Sequence, residues 1–369
     1  MSKIKVATFK AALGRVSKLV ASNAVIAQFL PSGQVWLHAQ QGGAHAKTLV
    51  GTLKVEPGCV PLPTKLIMGL MSGAGVTGEE DIVLKQVSRG LQLKFGGLSA
   101  TLDKATVEYE IHPMDTKSEV LIGTYKGAEL RDALQSVTGF SAVNDTRINL
   151  QGVALFIQSG KLVMVAMDGH RMAEMKTSWP TSVDGFGADD LVIPSVYTNA
   201  LVSVIDPEKT VDVSVVGEGG SRNIRFSSED FVLTTTLWAG RYLDYQSAMK
   251  KLGEVDSLAT CDRKTVVAAI KRISLVTQIV GLKFDPEHGC IKVTSSDQES
   301  VEAVDAVFSE GAQCVEMCYD PVKLWESIAA ANSEEVNLAV DSSKEAVAPI
   351  KITRKGETAW TAMIMPIRA

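Results

Sequence analysis

The chain has 369 residues, of which 46% are hydrophobic and 21% are charged, and its formal net charge is −5. This is the composition of an ordinary globular protein, and no apolar run reaches the roughly 18 residues that a membrane helix needs. The five cysteines are scattered and odd in number, which predicts free thiols in a reducing cytoplasm rather than a disulfide framework. The negative net charge argues against a conventional nucleic-acid-binding surface.

The first predicted element is an amphipathic helix over residues 9–20, with apolar residues at i, i+4 and i+7 counted from Phe9. Lys10, Arg15 and Lys18 interrupt this stretch. Because a secretory signal needs an unbroken apolar core, these charges favour a first helix over a signal peptide.

The same pattern of elements returns twice further along the chain. A dipeptide that ends in proline precedes an apolar helical segment at Leu62-Pro63, Ile193-Pro194 and Asp320-Pro321. An amphipathic helix precedes each dipeptide, and alternating strands with glycine-rich turns follow it. A repeat of about 130 residues is too long for a solenoid unit, so the pattern predicts one domain laid down three times.

These elements predict an α+β protein made of three tandem copies of one domain, in which two helices cover an antiparallel sheet. Polar stretches place the domains at residues 1–118, 119–250 and 251–369. Each copy is predicted to contain a helix, two or three strands, a second helix and three further strands.

The predicted helices carry more positive charge than the rest of the chain. Their six segments contain eleven Lys or Arg residues and four Asp or Glu residues, although the whole chain is acidic. This bias is typical of lysine-rich surface helices, and it is equally typical of a cationic surface for a polyanionic partner.

The sharpest polar motif is Asp168-Gly169-His170-Arg171. An aspartate beside a histidine suits a catalytic pair, but Asp-Gly between two strands is also a common hairpin turn. The matching positions of the other copies are Gln41-Gly42-Gly43 and Asp297-Gln298-Glu299, so only the second copy carries His-Arg. No histidine or cysteine spacing predicts a metal site, and we expect no cofactor.

The last residues, from Met363 onward, are large, soft and apolar. Pro366 must end the strand or leave the sheet, because its nitrogen cannot donate to a ladder. The segment suits either a terminal strand in the core or a plastic apolar lip, since methionine-rich surfaces accept several partners.

Four features together resemble the bacterial DNA sliding clamp, the beta subunit of DNA polymerase III. They are the triple repeat and the segments Asp168-Gly169-His170-Arg171, Gly240-Arg241-Tyr242-Leu243-Asp244-Tyr245 and Met365-Pro366-Ile367-Arg368. The similarity extends over essentially the whole chain. It implies the DNA clamp fold and a non-enzymatic, cytoplasmic processivity factor. Such a factor is a head-to-tail homodimeric ring of six domains, whose twelve helices line a hole for duplex DNA.

The resemblance also implies that a DNA polymerase and a clamp loader bind through short linear peptides, in a pocket between the second and third domains. The matching positions here are Arg147, Leu150, Gly169, His170, Arg171, Met172, Leu243, Met363, Ile364, Met365, Pro366, Ile367 and Arg368. Leu243 replaces a proline that is usual in the family, and Lys323 replaces a tyrosine. We therefore expect a pocket with its own shape and sequence preference.

By the same resemblance, cations on the helices would contact DNA phosphates without sequence preference. They are Lys10, Arg15, Lys18, Lys65, Lys126, Arg131, Lys264, Lys271 and Arg272. The dimer would join the first domain of one chain to the third domain of the other. There Lys94 opposes Glu299 and Glu302 in charge, and Ile273 matches the interface helix of the family.

Two other functions stay open at this point. A peptide-binding scaffold that does not encircle DNA would share the repeats and the apolar C-terminal residues, and binding to closed circular DNA distinguishes it from a clamp. A hydrolase would use Asp168 and His170, and a His170 substitution in a hydrolase screen would reveal it.

Overall fold

The computed structural model describes residues 4–20, 24–53, 56–73, 76–87, 90–103, 111, 118–182, 191–217, 222–238, 240–250, 255–347 and 349–367. Arg368, the last predicted pocket residue, lies outside them. None of the helices in these ranges has the length and apolar character needed to cross a membrane.

The described residues fold into three successive groups of strands and helices. The first group is β1 (Ile4–Lys5), α1 (Val6–Leu19), β2 (Ala24–Phe29), β3 (Gln34–Gln41), β4 (Ala44–Thr52), β5 (Gly58–Pro63), α2 (Thr64–Met71), β6 (Asp81–Val87), β7 (Gly90–Phe95) and β8 (Leu98–Asp103). The second group is β9 (Glu119–Lys126), α3 (Gly127–Thr138), β10 (Gly152–Gln158), β11 (Lys161–Met167), β12 (Arg171–Pro180), β13 (Leu191–Pro194), α4 (Ser195–Val204), β14 (Thr210–Val216), β15 (Asn223–Ser227) and β16 (Phe231–Thr236).

The third group follows a short helix, α5 (Tyr245–Lys250), which the sequence pattern did not predict. This group is β17 (Ser257–Asp262), α6 (Arg263–Ile273), β18 (Val280–Asp285), β19 (Cys290–Ser295), β20 (Val301–Phe308), β21 (Glu316–Tyr319), α7 (Pro321–Ala329), β22 (Glu335–Val340), β23 (Ile350–Arg354) and β24 (Trp360–Ile364). Short 3-10 helices cover Ile148–Leu150 and Ser342–Val347.

One element order therefore occurs three times: strand, helix, four strands, helix, three strands. The helices and the last three strands agree with the predicted order, while each group has a leading strand and a longer middle run that the pattern missed. Pro63 and Pro194 end strands β5 and β13, and Pro321 begins α7. Proline suits both places because its missing N–H is needed neither at a strand end nor in a first helical turn.

Helix α6 illustrates why these segments are helical. The carboxylate of Asp262 accepts a hydrogen bond of 2.7 Å from the backbone N–H of Thr265, which stabilises the helix by about 1 kcal/mol. Val266, Ile270 and Ile273 form the buried face, at the spacing that the sequence predicted. The helix is therefore capped at its start and held by one apolar stripe.

The chain forms two compact units, Met1–Arg131 with Asn199–Leu237, and Asp132–Thr198 with Trp238–Ala369. The first unit contains a four-stranded sheet, β1-β6-β7-β8, and an eight-stranded sheet, β5-β2-β3-β4-β16-β15-β14-β9. The second contains a twelve-stranded sheet, β13-β10-β11-β12-β24-β23-β22-β17-β20-β19-β18-β21. Each unit combines strands of neighbouring copies, and the division into three domains at residues 118 and 250 stays a prediction.

Each unit contains one joint between neighbouring copies, and the two joints have the same form. In the first unit, residues 44–48 of β4 pair antiparallel with residues 231–235 of β16. In the second, residues 171–175 of β12 pair with residues 360–364 of β24. In both joints, a strand of one copy pairs with the last strand of the next copy. The first of these is the third of the four strands that lie between the two helices of its copy, and its starting residues make the pairs.

A pair of buried histidines lies on β3 and β4, beside the first joint. His38 Nδ1 lies 3.0 Å from His45 Nε2, and His38 Nε2 lies 3.0 Å from the side-chain oxygen of Gln28. Burial is the main cause that lowers the pKa of His38 to about 3 and that of His45 to about 4. The positive charge of Lys47 lowers both further, and that of Arg225 adds to the effect on His45.

This pair predicts a loss of stability in acid. In the unfolded chain the two histidines have a pKa near 6.5 and bind protons below it, whereas in the folded chain they stay neutral until the pH is much lower. The stabilisation is complete above about pH 6.5 and is lost as the pH falls through about 4 and about 3. In urea unfolding at several pH values, we expect the free energy of unfolding of a His38→Gln/His45→Gln variant to fall less steeply between pH 6.5 and 4 than that of the parent. If the free energy of unfolding of the variant falls as steeply with pH as that of the parent, and its slope against urea concentration is unchanged, the histidine pair does not have this role.

Candidate functional site

The Asp168-Gly169-His170-Arg171 motif forms the turn between β11 and β12. The Asp168 carboxylate accepts hydrogen bonds from the backbone N–H groups of His170 at 2.8 Å and Arg171 at 3.0 Å. Gly169 has a φ of 91°, in the region that favours glycine. The motif is therefore a tight turn, in which the carboxylate serves the backbone and Arg171 rather than the exposed ring of His170.

Arg171 connects this turn to two helices. Its buried guanidinium donates to the backbone oxygen of Gly139, which follows α3, at 3.0 Å and to that of Lys323 in α7 at 3.2 Å. It also lies 2.8 Å from a carboxylate oxygen of Glu326 and 3.2 Å from one of Asp168. Charge-assisted bonds to four partners fix the relative positions of the turn, the end of α3 and α7 within the second unit.

These contacts border a cavity of about 620 Å³ in the second unit. Three segments line it: the residues after α3, the β11–β12 turn, and α7. The lining residues are Gly139, Phe140, Ser141, Ala142, Val143, Asp145, Asp168, Arg171, Asp320, Val322, Lys323, Trp325, Glu326, Ala329 and Ala330. Arg171 is the one residue of this set that was predicted to line the pocket, and Asp168 and Lys323 were named beside it; the others were missed, because the segment after α3 and most of the surface of α7 carry no motif.

Several predicted pocket residues are part of the core rather than of an open surface. Leu150, Met172 and Met363 pack in one buried cluster with Tyr242, and Ile364 is buried at the end of β24. These side chains therefore pack beneath the surface and are not available for direct contact with a ligand.

The C-terminal segment is held against the turn by its backbone. The N–H of Met365 donates to the backbone oxygen of His170 at 2.8 Å, and the N–H of Ile367 donates to that of Cys318 at 2.8 Å. The side chain of Met365 is exposed, while Pro366 and Ile367 are half-buried. In the predicted apolar lip, the side chain of Met365 is therefore exposed, while backbone hydrogen bonds at Met365 and Ile367 hold the segment in place.

Arg147 and Leu243, the remaining predicted pocket residues, are both exposed. Arg147 donates to both carboxylate oxygens of Asp145, and these bonds hold the pKa of that carboxyl at about 2. Leu243 lines a separate small cavity of about 220 Å³ together with Phe156 and Tyr242. The structure thus brings the turn and the C-terminal segment together, but it does not gather all predicted residues in one cavity.

The part of the chain that the structure describes has no ready metal centre. It contains no group of three or more His, Cys, Asp or Glu side chains close enough to hold an ion. The five cysteines are free thiols, and Cys261 and Cys290 are buried.

The cations predicted to face DNA lie on or beside helices α1, α2, α3 and α6. The exposed ones are Lys18, Lys65, Lys126, Arg131, Lys264, Lys271 and Arg272, and the half-buried ones are Lys10 and Arg15. Arg15 pairs with Asp230 at 2.5 Å, and the Lys271 ammonium lies 3.9 Å from the ring centre of Trp325. Arg15 is thus already committed to a carboxylate, which leaves the exposed lysines better placed for a phosphate.

The residues predicted for a dimer interface differ in their surroundings. Lys94 and Glu299 are exposed. Glu302 accepts two hydrogen bonds from the guanidinium of Arg272 in the same chain. Glu302 and Arg272 therefore neutralise each other, although the sequence assigned them to different surfaces.

Ile273 is buried on the inner face of α6, and the exposed apolar surface lies just after it. Leu275 and Val276 are 84% and 68% exposed. The sequence pattern did not single out Leu275 and Val276, because the apolar positions that define the buried face of the helix end at Ile273. Two adjacent exposed aliphatic side chains are typical of a surface that another chain covers.

One family model and several long relatives match this chain. Residues 124–244 match the family model of the DNA polymerase III beta subunit, central domain. The beta sliding clamp of Pseudomonas putida is 23% identical over 329 residues, which cover 87% of this chain and 86% of that protein. The beta sliding clamp of Escherichia coli is 23% identical over 317 residues, which cover 85% and 82%.

Solved structures agree over the full length. The beta subunit from the DNA polymerase of Streptococcus pyogenes has a TM-score of 0.83 at 21% identity and covers 100% of this chain and 99% of its own. The DNA polymerase III subunit beta of Pseudomonas aeruginosa has a TM-score of 0.81 at 20% identity, with 99% of both chains covered. Residues 124–244 thus carry the central domain of the DNA polymerase III beta subunit, and over most of its length the chain is similar to the beta sliding clamps, at a divergent 23% identity.

Proposed function

We propose that this chain is a DNA polymerase processivity factor that works as a homodimeric ring around duplex DNA. Two chains join head to tail, cations on the helices face the phosphates, and a polymerase and a clamp loader dock through short linear peptides. Enclosure holds the protein on its template, so the role requires neither a catalytic residue nor a cofactor.

The repeated joint between neighbouring copies carries this proposal. The start of β4 pairs with β16, and the start of β12 pairs with β24. The matching segment of the third copy is residues 301–305 of β20. By the same rule, this segment pairs with the last strand of the copy that follows it in the ring, which is β8 of a second chain.

Both of these strand edges are open in the described part of the chain. Residues 301–305 pair with β19 on one side, and β8 pairs with β7 on one side. An open edge presents unpaired N–H and C=O groups that favour pairing with another chain. Because each chain has one edge of each kind, two chains close a ring with two identical joints.

The distribution of charge supports DNA as the enclosed partner. The chain is acidic as a whole, yet its helical segments hold eleven basic and four acidic residues. A hole lined by such helices attracts phosphates without reading sequence, as sliding requires.

We expect the protein, once a cognate loader has placed it on nicked circular DNA, to stay bound in salt that strips electrostatic binders. Enclosure does not weaken with ionic strength, whereas contacts to phosphates do. Gel filtration of labelled protein with the DNA measures this retention, and cutting the circle should release the protein.

Two controls separate a ring from a peptide-binding scaffold. Linear DNA whose ends are blocked by bound protein should retain the ring as circles do. Equal retention on circular DNA and on open linear DNA would rule out enclosure.

A further inference from the structure

We propose that the first unit has an oxyanion site at its joint between copies, where Lys47 of β4 and Arg225 of β15 bind one phosphate group between them. The phosphate would bridge a strand of the first copy and a strand of the second copy. The predicted peptide pocket is separate from this site, because all of its described residues belong to the second unit. The site does not depend on the ring.

Strand register places the two cations on one face of the sheet. Lys47 is in register with Val232 of β16. Arg225 is in register with Thr234, two residues further along the same strand. Residues in register, or two apart on one strand, share a face, so both side chains lie on the same side of the sheet. Their backbones are roughly 12 Å apart, a distance that a lysine and an arginine side chain cover from the two ends with one anion between them.

The Lys47 ammonium has no counter-ion in the part of the chain that the structure describes. It lies 4.8 Å from the ring centre of Trp36, and it forms no ion pair with a described carboxylate. Burial, and then the positive charge of Arg225, lowers the pKa of Lys47. A half-buried ammonium beside a second cation is unfavourable, and an anion from outside the chain would stabilise it.

Arg225 is only partly engaged. Its Nη1 lies 2.8 Å from a carboxylate oxygen of Glu119, and its Nε donates to the hydroxyl oxygen of Thr234 at 3.1 Å. Among the described residues, its Nη2 makes no hydrogen bond or ion pair. The two bonds fix the guanidinium and leave N–H donors for an anion. Glu119 balances one of the two cations, so one positive charge stays unbalanced.

The second joint shows that the scaffold does not require polar residues at this place. There Met172 is in register with Met363, at the positions that match His45 and Thr234 of the first joint. Both methionines belong to a buried apolar cluster. Apolar packing is therefore sufficient to hold such a joint, which indicates that the polar residues of the first joint serve a further purpose.

The position that matches Lys47 has the opposite charge at the second joint. It is Glu174, at the same register position of β12. Glu174 pairs with Lys176 at 2.9 Å. The second joint thus balances this charge within the chain, whereas the first joint leaves a cation that a ligand can neutralise.

A phosphate group suits this arrangement better than a carboxylate does. Phosphate oxygens point in several directions and accept from donors on separate strands, while the two oxygens of a carboxylate lie in one plane. One unbalanced charge is too little for a nucleic-acid strand, which needs a run of cations along its backbone. The ligand is therefore a single phosphate group, either the free ion or that of a mononucleotide, for which Trp36 offers an aromatic ring beside Lys47.

The test titrates the full-length protein with inorganic phosphate or adenosine monophosphate, follows their phosphorus NMR signals, and holds the ionic strength constant with chloride. We expect a dissociation constant on the order of 1 mM, and no displacement by acetate at equal concentration. Nucleotide binding no tighter than that of the ion identifies the free ion as the ligand, and tighter binding identifies the ester. No binding of either probe, or full displacement by acetate, would overturn the proposal.

Variants of Lys47 locate the binding. Lys47→Gln should weaken phosphate binding about tenfold or more, while Lys47→Arg, which keeps the charge, should stay within about threefold of the parent. Lys176→Gln is the matched control, because it removes an exposed lysine at the second joint and should leave the affinity unchanged. Phosphate should also raise the melting temperature of the parent more than that of Lys47→Gln, since a ligand of the folded joint stabilises it. Unchanged binding by Lys47→Gln, or an equal loss in Lys47→Arg or Lys176→Gln, would overturn the assignment.

Discussion

Replacing Leu275 and Val276 together by aspartate is expected to convert the proposed dimer into a monomer. These side chains are 84% and 68% exposed and follow α6, in the same copy as the open edge of β20. If a second chain covers them, each aspartate becomes a buried carboxylate without a partner, which costs several kcal/mol. A loss of about 3 kcal/mol or more weakens dimerisation by roughly 100-fold or more.

Size-exclusion chromatography with light scattering, over a range of protein concentrations, measures this change. Val120→Asp/Leu121→Asp is the matched control, because it places the same two charges at adjacent exposed aliphatic residues of β9 and should leave the dimer intact. A double variant as firmly dimeric as the parent would show that these residues lie outside the joint. Charge reversal at Glu302 is a weaker test, since Glu302 already pairs with Arg272 in the same chain.

Deleting residues 365–369 is expected to abolish stimulation of a cognate polymerase while leaving the proposed dimer intact. The deletion removes the exposed side chain of Met365 and the backbone bonds to His170 and Cys318. Strand β24 ends at Ile364, so its pairing with β12 and β23 survives. A few apolar anchors dominate the binding of linear peptides, so their loss removes most of the affinity.

Primer extension on a long single-stranded template measures processivity, and light scattering confirms the dimer. A Met365→Ala/Ile367→Ala variant is the milder companion. It keeps the backbone bonds and should lower partner affinity about tenfold or more by loss of apolar contact. Undiminished processive synthesis by the truncated dimer would place the partner site elsewhere on the chain.

Local patterns were sufficient to predict the two helices of each copy, the triple repeat and the turn, but not the short helix α5. The buried face of α6 was visible as Val266, Ile270 and Ile273, because a helical period is a property of neighbouring residues. The turn at Asp168-Gly169 was visible for the same reason, since its hydrogen bonds join residues at most three apart. The strand order was harder, because pairing joins segments far apart in the chain.

The surroundings of each site residue depend on contacts that no local pattern contains. Arg171 bonds to Gly139, 32 residues away, and to Lys323, 152 residues away. Leu150 and Met172 look like lining residues in the sequence, yet strand packing buries them.

The sequence by itself therefore determined the repeat, the two helices of each copy and the kinds of side chain available in each copy. Only the tertiary structure decided which charges are paired, which apolar side chains stay exposed, and where a cavity opens beside Ser141 and Glu326. The physical reason is the sequence separation of the residues that interact. Helix propensity and apolar periodicity depend on residues close together in the chain, while burial and ion pairing depend on residues that are close only in space.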